Sequence, residues 1–186
     1  MEWLSIQRLS TKEVAFLVVF VSLSISTNYC LIGVPNVKFM DLLVFVSGVC
    51  FGCLMGALVG GLSWIIYGFF NPYGFCLPIW IATIMCEMIY GLAGGLVRRF
   101  GVVPRGLNPD FKGDLLIGGK LALVGFFSTL LYDVVTNLVF AVTFQINPVL
   151  ALIQGVPFAL VHELSNVLLF FTLAPVLMFA IKRVWR

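Results

Sequence analysis

The sequence predicts an all-α membrane protein: six transmembrane helices in a compact bundle, with the second and third helices short. Three observations predict it. Apolar residues make up 61% of the 186-residue chain and charged residues only 10%, with a mean hydropathy of +1.11, far outside soluble averages. The apolar residues fall in runs long enough to cross a bilayer, which takes about 20 helical residues. Finally, the basic residues cluster at three places: Arg8 and Lys12, then Arg98, Arg99, Arg105 and Lys112, then Lys182, Arg183 and Arg186. Six crossings put all three clusters on one side and leave Lys38 on the other. By the positive-inside rule, both termini are then cytoplasmic in a multi-pass protein of the cell membrane. Six spans and short loops leave no room for a soluble domain, so 1–186 is read as one integral membrane domain.

The first helix is expected over about 14–30. Arg8 and Lys12 before an apolar run look like a signal peptide, but no small-x-small cleavage pattern follows, and the run is expected to stay as a span. Ala15, Ser22 and Ser26 give it a face of small residues, which lets membrane helices approach closely. A loop with Pro35, Asn36 and Lys38 leads to the second helix, about 41–55, whose leading Asp41 suits the positive end of the helix dipole. Gly48, Gly52, Gly56 and Gly60 recur at a spacing of four, followed by Gly61, which makes a stripe for close helix contact. The apolar run from Leu42 to Phe70 is too long for one span and too short for two full ones. Two short helices with a tight break near Gly56–Gly61 are therefore expected, the third helix covering about 57–70. Asn71–Leu77 carries turn chemistry at Asn-Pro and at Gly. The fourth helix is expected over about 78–99, the fifth over about 114–144 and the sixth over about 149–182.

The last helix carries the sharpest signal. Pro157–Asn166 reads P-F-A-L-V-H-E-L-S-N inside a long apolar run. An ionisable group at membrane depth costs roughly 2.5–3.5 kcal/mol on insertion scales, so it faces a partner or a wet cavity. Successive helical residues point about 100° apart, so His162 and Glu163 cannot face the same way, and which of them faces inward is left open. Asn166 can extend either face. Counting down the helices at 1.5 Å per residue, Glu87 lies roughly 14 Å from its helix start. Asp133, Asn137, His162 and Glu163 come to similar depth on the next two helices. Trp64, Tyr67, Tyr73, Trp80, Tyr90 and Tyr132 stand near this polar layer, which has the makeup of a small-molecule site. Three acids and a histidine against one lysine lean toward a substrate with cationic or hydrogen-bond-donor groups.

Other chemistries find little support. Gly119-Lys120 lacks the upstream Gly and following Ser/Thr of a phosphate loop, no H-E-x-x-H occurs, and one histidine does not make a metal cluster. The five cysteines have no scaffold spacing and are read as structural thiols. No enzyme activity, cofactor, metal or nucleic-acid partner is expected.

The short glycine-rich second and third helices, N-P-Y-G after them, Y-D-V-V-T-N in the fifth helix and P-F-A-L-V-H-E-L-S-N in the sixth together carry a resemblance. Across essentially all six helices the chain resembles the substrate-binding S components of energy-coupling factor (ECF) vitamin transporters. The resemblance implies a high-affinity, membrane-embedded subunit of an ABC-type importer that captures a vitamin or related micronutrient from outside. Its partners would be a transmembrane coupling subunit and two cytoplasmic ATPases. It also implies a substrate site in the outer halves of helices four to six and the loop between helices one and two. The substrate-binding candidates are therefore Asn36, Lys38, Tyr73, Glu87, Tyr90, Asp133, Asn137, His162, Glu163 and Asn166. Docking to the coupling subunit would use the first helix, here Ala15, Val19, Ser22 and Ser26. Nickel and cobalt members depend on an amino-terminal Met-His, whereas this chain begins Met1-Glu2-Trp3, which disfavours metal uptake. Two other classes remain: a structural or assembly protein of the rod-shape type, and an autonomous proton-coupled carrier in which Glu87, Asp133 or Glu163 titrates.

Overall fold

The computed structural model describes residues 9–72, 74–103 and 111–184. Its regular structure, among the described residues, is six α-helices: α1 (Thr11–Cys30), α2 (Met40–Phe51), α3 (Cys53–Phe70), α4 (Leu77–Arg99), α5 (Phe111–Thr143) and α6 (Pro148–Val184). Five of them, all but α2, are long and apolar enough to cross a membrane. At 12 residues α2 spans about 18 Å, well short of the roughly 30 Å hydrocarbon core.

Local chemistry sets the ends of several elements. α1 opens on a capping box: the Glu13 amide donates to Ser10 Oγ at 3.3 Å, and the Ser10 amide donates to Glu13 Oε2 at 2.8 Å. α2 and α3 are separated by Gly52 alone, whose φ of 99° is a left-handed value that glycine adopts freely. The tight break expected near Gly56–Gly61 is thus four residues earlier, and Gly56, Gly60 and Gly61 lie inside α3. Their role is contact. A Cβ on Gly56 would stand 2.6 Å from the Gly91 carbonyl oxygen, and one on Gly60 would stand 2.8 Å from the Glu87 carbonyl oxygen. A Cβ on Gly94 would overlap the Phe45 carbonyl. The α2–α3–α4 unit is consequently packed backbone to backbone.

α2 packs against α1, α3, α4 and α6, and every residue from Met40 to Val49 is buried. α5 and α6 lie along each other. One end of the bundle gathers the first turn of α1 with Lys12, the last turn of α4 with Arg98 and Arg99, and the end of α6 with Arg183. Arg98 there donates to the Cys50 carbonyl at 2.6 Å, which fixes the foot of α2 at the foot of α4. From that shared foot α2 rises 12 residues and α4 rises 23, so α2 stops about 16 Å short. The missing length is filled by the connection from Leu31 to Phe39, and that arrangement makes the site.

Candidate functional site

Because α2 is short, its first turn lies at mid-height beside the middle of α4, and Asp41 enters the core fully buried. His162 of α6 lies between two carboxylates. Its Nε2 is 2.7 Å from Asp41 Oδ2, and its Nδ1 is 3.0 Å from Asp133 Oδ1 on α5. A neutral imidazole has one N–H, and carboxylates only accept. Two short contacts therefore need one proton more than a neutral histidine with two carboxylates supplies, held as imidazolium or as one carboxylic acid. Asn166, one turn further along α6, donates to Asp41 Oδ2 at 2.7 Å and to Thr129 Oγ1 at 2.8 Å. Tyr90 donates to the same Thr129 oxygen at 2.9 Å, and Thr129 passes its own proton to the Gly125 carbonyl at 2.8 Å. Glu87 accepts from Trp64 Nε1 at 2.9 Å. One oxygen each on Asp41, Glu87, Asp133 and Asn166 has no protein donor. The helices α2, α4, α5 and α6 are cross-linked here through buried side chains, and α3 joins them through Trp64.

Above this cluster lies a cavity of about 580 Å³. Its floor and one side come from the α1–α2 connection, with Asn36 and Lys38. The other walls are Trp64 and Tyr67 of α3, Trp80 and Thr83 of α4, and Phe140 and Phe158 of α5 and α6. A smaller cavity of about 300 Å³ shares Asn36, Lys38, Thr83, Phe140 and Phe158, and reaches Asp133, Thr136 and Asn137. The connection that forms the floor is tied down. Asn36, at a φ of 57°, donates through Nδ2 to the Phe158 carbonyl at 3.1 Å, next to Pro157 inside α6. Lys38 carries its ammonium 4.7 Å from the Tyr132 ring centroid and 5.4 Å from that of Trp64.

The candidates thus separate. Asn36 and Lys38 line both cavities, and Asp133 and Asn137 line the smaller. His162, Asn166, Tyr90 and Glu87 belong to the closed cluster beneath and border neither cavity. Between His162 and Glu163, the histidine faces inward, while Glu163 is half-buried outside the cluster. Tyr73 lies outside the described residues. Ala15, Val19, Ser22 and Ser26 are all exposed along α1. Trp64 and Trp80 line the cavity, with Trp80 Nε1 donating to the Trp64 carbonyl at 3.2 Å. Asp41 is the residue whose part in the site sequence reasoning missed: it stands in the first turn of α2, as expected, and there it also closes the histidine network. A signal was present, because a helix apolar on every side is buried on every side and takes its first acid with it. Among the described residues, no group of three or more His, Cys, Asp or Glu side chains is arranged to hold a metal ion. Compared with protein-family models, curated proteins and solved structures, the chain matches none.

Proposed function

We propose that this chain is the membrane-embedded substrate-binding subunit of an ECF-type importer for a vitamin or related micronutrient. One observation carries the reading: the truncated α2 leaves a chamber of about 580 Å³, walled by aromatic side chains with a few convergent polar groups, at the end of the bundle away from Arg98 and Arg99. Such a volume and makeup suit a small ring-containing ligand. In this reading both termini are cytoplasmic, the chamber faces outside, and the exposed small-residue face of α1 meets the coupling subunit. The two ATPases supply the energy, since the chain carries no phosphate loop. A chamber of this makeup favours ligand binding over a purely structural role. The test is purification followed by mass spectrometry of the released small molecule, with uptake measured in liposomes. Alone, the protein binds this molecule without concentrating it; with coupling and ATPase subunits it concentrates it. No bound molecule, and no uptake with partners present, would defeat the reading.

A second reading draws on the Asp41–His162–Asp133 network, in which a proton is shared between buried groups on three helices. A proton-coupled carrier would use such a network to link protonation to helix movement. Accumulation driven by a pH gradient in the protein alone would favour it over the importer.

A further inference from the structure

The buried acids leave the larger chamber bordered by one charged side chain among the described residues, the Lys38 ammonium. Asp41 and Asp133 are engaged by His162, and Glu87 is held by Trp64 beneath the chamber. Asp133 alone of these borders a cavity, and its free Oδ2 is shut away from solvent. Among the described residues, ion pairs run only from His162 to Asp41 and Asp133, so no carboxylate oxygen lies within 4.0 Å of the Lys38 ammonium. Its one hydrogen-bond partner there is the Tyr132 hydroxyl, at the long distance of 3.5 Å. Lys38 is also the only charged residue lining the larger cavity, again among the described residues, and it sits where the two cavities meet. Aromatic faces hold an ammonium in place without neutralising it. A half-buried cation of this kind gains most from a ligand anion, because a charge in a low-dielectric site is penalised until it is paired.

We infer that the chamber takes a ligand with a flat ring body and an anionic or strongly accepting group, a carboxylate being the simplest, with Lys38 as its ionic anchor. The ring lies among Trp64, Tyr67 and Trp80, and the anion reaches down to the junction of the two cavities. This reverses the cationic substrate that the raw count of acids suggested. It rests on the chamber being a binding site, as proposed above.

The sign of the chamber can be read without knowing the ligand. In a background with Trp3 and Trp185 replaced by phenylalanine, the remaining tryptophans are Trp64 and Trp80, both in the chamber wall. Acrylamide, iodide and caesium then serve as neutral, anionic and cationic quenchers of the detergent-solubilised protein. Acrylamide is expected to quench both tryptophans, and iodide, with each ionic constant normalised to that for free N-acetyltryptophanamide, to quench at least about threefold more effectively than caesium. The iodide preference is expected to vanish in Lys38→Met and survive in Lys38→Arg. If acrylamide quenches but iodide shows no advantage, or the advantage persists in Lys38→Met, the anion inference is overturned and the chamber remains. If acrylamide fails to quench, there is no open chamber, and the binding reading falls with the inference. Lys38→Gln, melting at the wild-type temperature, serves as the check should Lys38→Met fold poorly.

Discussion

Below Lys38, polar side chains of α2, α4, α5 and α6 bond to one another; above it, those of the α1–α2 connection and of α3 and α4 border open space. The two regions have similar ingredients, since each mixes hydrogen-bonding groups with aromatic rings. They differ in closure. In the lower region the side chains bond across helices: His162 joins α2 to α5, and Asn166 joins α2 to α5 again one turn on. In the upper region α2 has ended, and no helix fills the space over Asp41. A helix roughly 16 Å shorter than its neighbour therefore yields both a core of paired charges and a chamber above it.

The comparison predicts that changes below act on stability and changes above act on binding. The largest effect is expected for Asp41→Ala, which leaves His162 Nε2 buried without its partner and takes from Asn166 Nδ2 one of its acceptors. Removing one member of a buried charged network costs roughly 3–5 kcal/mol, and thermal melting should drop further for this variant than for any other named here. A melting point near that of the parent protein would mean the network is not holding the helices.

Gly91→Ala comes next. The new Cβ would overlap the backbone of Gly56, where neither partner can rotate aside, and overpacking of this kind costs roughly 1–3 kcal/mol. Gly119→Ala is its control, because a Cβ there meets nothing within 4 Å. Equal melting of the two variants would break the claim that α2, α3 and α4 touch through their backbones.

Asp133→Asn straddles the boundary, since this residue both contacts His162 and lines the smaller cavity. The amide oxygen can still accept from His162 Nδ1, so melting should change little. An anion held at Lys38 should bind no more weakly, whereas a ligand that donates to Asp133 would lose roughly 1–3 kcal/mol, the cost of a mismatched buried polar partner. Calorimetric titration with the copurified ligand measures it. The smallest effect is expected for Glu163→Gln, within about 0.5 kcal/mol in both measurements, beside a clear loss of stability for its neighbour His162→Gln.

How much of this could be read in the sequence follows from what each rule measures. Hydropathy runs locate the helices because crossing a bilayer fixes length and composition together. The depth count brought Glu87, Asp133 and His162 to one level, and the structure places the three acids and the histidine of its cluster there. Asp41 escaped because an acid in the first turn of a helix already has a local explanation, and nothing local says how deep that turn lies. Depth came from Cys50 meeting Arg98, residues 48 positions apart. The break between α2 and α3 escaped for a related reason. Gly52 and Gly56 belong to one spacing-of-four pattern, yet the first takes a positive φ and the second only a close contact. A count of acids also cannot tell which of them are already engaged by His162, so the sign of the ligand is not legible in composition.

The boundary at Lys38 is tested most directly by thiol labelling. With the five native cysteines replaced, Ile79→Cys places a thiol in the wall shared by both cavities, and Thr129→Cys places one in the closed cluster, where the parent residue is fully buried. A membrane-impermeant maleimide added to proteoliposomes should label Ile79→Cys readily in molecules whose chamber faces the reagent. It should leave Thr129→Cys unlabelled until the protein is unfolded. Labelling of both at similar rates, or of neither, would contradict a wet chamber ending above a dry polar core.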